Sequence, residues 1–478
     1  LFDYCNKLKV NDNIKNKYLK RYVNCFKNKP FITTFITLFI VYIIYLIIYY
    51  PGVVGYDPSY QIKEYFGIPN FYSEALNLDT SKTMITAFNP VLHTLLIGSL
   101  VKFGYNIGNV NFGIFIYNFI QMCAFIAVLS YSVKFLYEEK LPIKFILILI
   151  GLYIFVPYFP FYSICCFKDT YFSMFFMLFI IELCKVIKYK MDIKSIIRLV
   201  LVSFGLCMFR NNGLITIIMT LLFFLLLKDN RKQVFISMIL VILLYFGYTK
   251  TLSLCGVSGT SIREMLSVPF QQTSALIYNK EEVMDKEDID VVGKLLDLDI
   301  IRNEYDPELS DKVKNTFNNN ASNEDLIAYF NVWFKYLLRE PKIYIEATTN
   351  NIYGYFYPNA KRWYFYYKKY NVLNEVGIDY QYNSLKPLRD VLSGFGTAFA
   401  YIPLIGLLVN IGANTWAYIY LIGSLCENKK KKYILLTIPM ISILLACMVG
   451  PVNTYFRYVL PYASTLPLIL GFIYSNRK

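Results

Sequence analysis

The sequence predicts an all-α polytopic membrane protein, and three observations carry that expectation. Of its 478 residues, 56% are hydrophobic and 17% are charged, whereas soluble domains average about 25% charged. The apolar residues come in runs of roughly 18 to 25, long enough to cross about 30 Å of hydrocarbon as helices. Lysine and arginine collect between those runs, as they do in cytoplasmic loops. A water-soluble enzyme is disfavoured, and about ten spans with a large polar segment are expected.

Residues 1–30 read as a basic cytoplasmic N-terminus, too long and too polar for the start of a signal peptide. Residues 31–50 are the first span, bracketed by Pro30 and Pro51. The outer loop 51–110 contains NPVLHTLLIGSLVKFG (89–104). A full crossing there would push later lysine-rich loops outside, so this run is expected to lie in the outer interface. Further spans are expected at 111–133, 144–163, 170–187, 195–209, 213–228 and 233–250, completing a transmembrane core over 31–250. Inner connections then carry Lys134, Lys140 and Lys144, then Lys185, Lys188, Lys190 and Lys194, then Lys228, Arg231 and Lys232.

Residues 251–390 are too polar to span and are expected outside the membrane. Their first half is acidic (EEVMDKEDID, 281–290); their second is aromatic and basic (NNIYGYFYPNAKRWYFYYKKYN, 350–371). Such tyrosine and tryptophan density suits a surface at headgroup level, and equally a small domain packing its own rings. The C-terminal transmembrane part, 391–478, holds one pass within 393–427, the inner run ENKKKK (427–432), and spans at 433–450 and 461–475. Both termini then face the cytoplasm, in a multi-pass protein of the cell membrane.

The formal charge of +15 shows no basic stripe with interleaved stacking aromatics, so no nucleic-acid partner is expected. Four of the ten cysteines (Cys123, Cys184, Cys207, Cys447) lie inside apolar runs and read as small buried hydrophobes. The adjacent pair Cys165–Cys166 reads the same way. His93 is the sole histidine, which excludes a histidine-rich metal site.

With that topology, polar residues gather on the outer face: Asp57, Lys168, Asp169, Arg210, Asn211, Asn212 and Arg457. A charge at mid-membrane depth costs roughly 2.5–3.5 kcal/mol, less near a span end. Each has a plain reading. "DPS" at 57–59 suits an N-cap aspartate with proline at the first helical position. Lys168–Asp169 reads as a solvated pair, the arginines as anchors snorkelling to lipid phosphate, and His93 as a packed side chain. The sharper reading concerns the set. Arginine forks bind phosphate bidentately, a carboxylate can accept a hydroxyl proton, and cations stabilise charge on a departing phosphate.

The order of features resembles the GT-C superfamily of integral-membrane glycosyltransferases, including protein O-mannosyltransferases and the lipid A aminoarabinose transferase. Asp57 falls where their first-loop catalytic aspartate stands, NPVLHTLL (89–96) resembles their "HPPL"-type segment with Asn89 in place of histidine, and FKDTYFSMFF (167–176) resembles the region of their second outer acid, Asp169. A closer likeness is to a bacterial membrane-protein family marked by "PGxxxxD", "KDTxFS", "RNNG" and "FRYxxP". These stand here at Pro51–Gly52 with Asp57, at Lys168–Ser173, at Arg210–Gly213 and at Phe456–Arg457–Tyr458. Asp57 lacks the second acid that follows it in the mannosyltransferases.

The resemblance implies an inverting glycosyltransferase that takes a sugar from a polyprenyl-phosphate donor in the membrane lipid and gives it to a glycan, lipid or protein acceptor. Asp57 would take the acceptor's proton and Asp169 would orient the sugar or a cation. Lys168, Arg210 and Arg457 would bind phosphate, with Asn211 and His93 beside the substrate. It leaves room for a divalent cation and calls for no other cofactor. The alternative is a transporter or flippase of lipid-linked sugars, although transporters tend to carry repeats, broken spans and midplane charges.

Overall fold

Apolar segments long enough to cross hydrocarbon must satisfy every backbone polar group internally, and the helix does so within one segment. The computed structural model describes residues 16–76, 78, 84–360, 363–368, 385–428, 430–450 and 452–476. Among these the regular structure is helical, with three isolated β-bridges and no longer strand. Residues 1–15 of the expected N-terminus, residues 361–362 and 369–371 of the aromatic run, and the last two residues lie outside the described set.

Numbering helices of ten residues or more, α1 (Lys17–Asn28) leads into α2 (Pro30–Ile48). The segment after it then forms α3 (Tyr56–Tyr65) and α4 (Val91–Asn106). The bundle continues with α5 (Val110–Glu138), α6 (Ile143–Phe155), α7 (Lys168–Lys188), α8 (Ile193–Phe209), α9 (Gly213–Phe224) and α10 (Arg231–Leu254). The polar segment forms α11 (Ser267–Lys280), α12 (Asn323–Arg339) and α13 (Pro341–Ile352). Finally come α14 (Lys386–Phe399), α15 (Ile411–Glu427), α16 (Ile438–Met448) and α17 (Phe456–Ser475).

Six described segments are long and apolar enough to cross a membrane: α2, α5, α7, Lys228–Leu254, Lys431–Met448 and α17. The other apolar runs expected as spans fold as shorter helices. The run 144–163 stops at Phe155, and Pro157 opens a separate turn, Tyr158–Ser163. At about 1.5 Å per residue, the 13 residues of α6 and the 12 of α9 fall short of a full crossing. The chain is therefore an all-helical polytopic membrane protein whose bundle also holds shorter apolar helices.

The core of the bundle is one apolar cluster drawn from α2, α5, α7 and α17, including Tyr42, Leu129, Phe172, Ile180, Leu468 and Phe472. Helix α17 contains Pro461 and Pro467. Pro467 has no N–H for the carbonyl of Ala463, and the hydroxyl of Tyr158 donates to that carbonyl instead, at 3.4 Å. Helix α4 packs tightly against α5: a Cβ at Gly113 would lie 2.3 Å from the carbonyl oxygen of Leu100. That backbone contact is open only to glycine.

The polar segment divides by composition. Residues 266–347 bury their own core, including Phe270, Leu295, Val313, Tyr329 and Tyr344. The aromatic stretch behaves differently from a surface resting on headgroups, because Tyr355, Tyr364 and Phe365 belong to the main bundle core. Phe365 packs on Phe161 at 4.5 Å and Tyr366 on Phe167 at 4.6 Å, while Trp363 stays half exposed. The hydroxyl of Tyr364 reaches the carbonyl of Gly396 at 2.5 Å, which is what lets so polar a ring go inside.

Candidate functional site

Two short chain segments bring the distant carboxylates together. Val53 and Cys165 form a parallel bridge, with Val53 N–H on the carbonyl of Ile164 (2.9 Å) and Cys166 N–H on that of Val53 (2.9 Å). A few residues beyond it, one strand segment starts α3 and the other starts α7. Asp57 and Asp169 therefore both stand in the first turn of a helix, where the macrodipole favours negative charge. Arg210 sits at the C-terminal cap of α8, where the dipole favours a cation. Arg457 lies in the first turn of α17, an unfavourable end for a cation, and it is offset by the two carboxylates it faces.

The resulting contacts are direct. Asp57 Oδ2 accepts hydrogen bonds from Lys168 Nζ at 2.9 Å and from Arg457 Nη1 at 3.0 Å. Asp169, fully buried, lies 3.5 Å from Arg210 Nη1 and 4.0 Å from Arg457 Nε. Neither Asp169 oxygen has a hydrogen-bond partner, so its charge is balanced at a distance. Lys168 also donates to Asn89 Oδ1. The guanidinium of Arg210 lies over Tyr458 at 4.6 Å, and that of Arg457 over Tyr455 at 4.6 Å. Three cations against two carboxylates leave the cluster one net positive charge.

These positions settle the plain readings. The helix containing Asp57 begins at Tyr56 after Gly55, and the Asp57 side chain makes no cap bond; it is an ion-pair partner. Asp169 is fully buried and Lys168, 15% exposed, is held in an ion pair rather than free in solvent, and both arginine side chains are less than 15% exposed, so neither snorkels to lipid. Burial opposes ionisation of Asp57, but the charges of Arg457 and Lys168 and their hydrogen bonds outweigh it, holding its carboxyl well below the usual range.

His93 is set apart from the cluster. It is fully buried, with Nδ1 bonded to Gln61 Oε1 at 2.8 Å and Nε2 to the Tyr117 hydroxyl at 2.7 Å. Burial, helped by the charge of Lys168, lowers its pKa to about 3. A neutral imidazole with both nitrogens engaged has nothing left for substrate, so the substrate-binding role expected of His93 gives way to the packed one. Its structural role is to pin α4 to α3 and α5. Asn211 does reach the site edge, donating to the carbonyl of Ala87 at 3.1 Å.

Lys168, Arg210 and Asn211 line one end of a cavity of about 520 Å³. The other walls come from α9 and α16 and are largely apolar: Ile215, Met219, Leu445 and Val449. Ile215 and Val449 are more than half exposed on the outer surface of the bundle. The cavity thus joins a basic end to a greasy flank.

A divalent cation does not fit these residues. Among the described residues no group of three or more His, Cys, Asp or Glu side chains converges. A metal at Asp57 would have to displace an ammonium and a guanidinium. The arrangement suits an anion.

One acid escaped the sequence reading. Glu64 lies seven residues after Asp57, two helical turns along the same face of α3, and is 1% exposed. The Thr86 hydroxyl donates to its Oε1 at 2.6 Å, and its Oε2 has no hydrogen-bond partner. Burial raises its pKa to about 8, against the hydrogen bonds from Thr86 and the charge of Lys168.

No curated protein and no solved structure matches the chain. A family model described as a family of unknown function (DUF6020) matches residues 6–478. Since that match runs through the loop and helix starts that build the charged cluster, the cluster sits within the family's own extent, and the chain is a member of DUF6020.

Proposed function

We propose that the protein transfers a sugar from a polyprenyl-phosphate donor to an acceptor at the outer membrane face. The observation that carries this reading is the cavity with Lys168, Arg210 and Asn211 at one end and apolar α9 and α16 walls along its flank. An amphiphile with a phosphate head and a hydrocarbon tail matches both parts. Arginine and lysine at that end provide charge-assisted hydrogen bonds to phosphate oxygens.

The ion pairs suggest how binding and chemistry connect. With the cavity empty, Asp57 is tied to Lys168 and Arg457 and is a poor base. A bound phosphate competes for Lys168, loosening its hold on Asp57 and raising the affinity of that carboxylate for a proton. The acceptor oxygen then attacks the anomeric carbon, its proton passes to Asp57, and the carbon–phosphate oxygen bond breaks with its electron pair leaving on phosphate. Lys168 and Arg210 stabilise that departing charge. Asp169 holds the two arginines in register.

The test is direct. Purified protein in lipid nanodiscs, given radiolabelled polyprenyl-phosphate sugar and a cell-envelope acceptor fraction, is expected to move label to the acceptor. Movement of the labelled lipid across sealed vesicles without transfer would contradict the reading and favour a flippase. The topology has its own check through native cysteines. Cys255 and Cys426 are both exposed; a membrane-impermeant maleimide on intact cells is expected to label Cys255 and spare Cys426. The reverse pattern would put the site on the cytoplasmic side.

A further inference from the structure

The same cavity has a wall from the polar segment. A 3-10 turn, Ile262–Met265, places Glu264 on the lining with Phe88, Lys168 and Arg210. Among the described residues of that lining, Glu264 is the one acid. The turn is anchored to the segment between α3 and α4 through the bridge of Thr86 with Ser258, where Ala87 N–H meets the Ser258 carbonyl at 2.8 Å. Arg263 fastens it further, its guanidinium lying 4.7 Å from the Phe71 ring and 5.5 Å from the Phe88 ring.

Glu264 is braced from behind and open in front. Lys314 Nζ donates to its Oε2 at 3.0 Å, and Arg263 Nε stands 3.4 Å from its Oε1. Both cations are nearly buried, at 5% and 2% side-chain exposure, while Glu264 keeps 37%. An ionised carboxylate offers about four lone-pair directions, so each oxygen retains capacity toward the cavity. A carboxylate repels phosphate, so it has no place among the phosphate contacts. Its complement is a neutral donor of hydrogen bonds attached to the phosphate.

Building on the lipid-phosphate reading, we propose that Glu264 recognises the hydroxyls of a sugar carried on the donor phosphate, so that the polar segment contributes the specificity-determining side chain. The cations grip the phosphate; Glu264 distinguishes a glycosylated lipid phosphate from a bare one. A site built to hydrogen-bond a substrate hydroxyl discriminates against the analogue that lacks it.

The experiment measures binding in detergent by ligand-dependent thermal shift, with decaprenyl phosphate and its mannosyl and glucosyl esters as probes. Wild type is expected to bind at least one ester about tenfold more tightly than bare decaprenyl phosphate. Glu264→Gln is expected to erase that preference while binding the bare lipid phosphate as well as wild type or better. Glu264→Asp, which keeps the charge, is expected to retain part of it. Wild type without a preference for either ester would overturn the inference. So would a Glu264→Gln protein that keeps the preference, or one that loses affinity equally for all three probes, which would make Glu264 a brace only. Failure of wild type to bind any probe would instead sink the lipid-phosphate reading, and this inference with it.

Discussion

Asp57→Asn is expected to reduce transfer by about 10²–10⁴-fold, the range supplied by a positioned general base, while tightening the hold on lipid phosphate. The substitution keeps shape and one acceptor oxygen but removes a charge. Lys168 and Arg457, each now at 2.9–3.0 Å from that carboxylate, would lose their counter-ion, and the cluster would go from one net positive charge to two. A phosphate would then meet cations with no internal competitor. A role in structure alone predicts the opposite pairing, with binding and turnover falling together. The cost of stripping a buried pair of one partner is about 3–5 kcal/mol, so the melting temperature has to be measured alongside. Bound decaprenyl phosphate is expected to restore much of that loss by supplying the missing negative charge.

Glu64→Gln is expected to flatten the dependence of stability on pH. Burial raises the Glu64 carboxyl from its ordinary 4.5 to about 8, so the folded protein binds this proton more tightly than the unfolded chain. Where the folded state binds more protons, stability falls as pH rises. The loss begins near the ordinary value, proceeds through neutrality and levels off above about 8. At about 1.4 kcal/mol per unit, the whole span amounts to several kcal/mol. Glutamine fills the same space and accepts the Thr86 hydroxyl, yet has no proton to lose. Thermal unfolding from pH 5 to pH 9 is therefore expected to fall steeply for wild type and much less for the variant, the variant being the more stable at pH 8. Parallel curves would assign the titration elsewhere. The effect has a functional edge, since Thr86 also belongs to the bridge that carries Glu264 to the cavity.

Asp57, Lys168, Asp169, Arg210 and Arg457 were legible in the sequence for a simple reason. Charges at the ends of long apolar runs are few, and the topology leaves them one face to meet on. What the sequence hid was arrangement. "DPS" looks like a cap because proline commonly opens a helix, but the helix starts earlier, after Gly55, and frees the aspartate for Lys168 and Arg457. His93 lies on an apolar helix in either reading; only its neighbours Gln61 and Tyr117 decide that it is packed.

Glu64 had a readable signal, its seven-residue spacing from Asp57. Glu264 had none, because it reaches the cavity through a backbone bridge between residues 172 positions apart (258 − 86), and such pairing leaves no periodic trace. Span length was misjudged where apolar composition continued across a break. The prolines of VPYFP at 156–160 end α6 without interrupting hydrophobicity. The aromatic stretch was ambiguous for the opposite reason: tyrosine suits a headgroup surface and a core equally, and buried acceptors such as the Gly396 carbonyl are invisible along the chain.

Everything functional depends on the cations at the cavity end meeting a lipid phosphate there. A structure of the protein with decaprenyl phosphate is the most direct measurement. The account predicts phosphate density within hydrogen-bond reach of Lys168 and Arg210, with the isoprenoid chain running between α9 and α16. Phosphate bound elsewhere, with Lys168 still closed on Asp57, would contradict it.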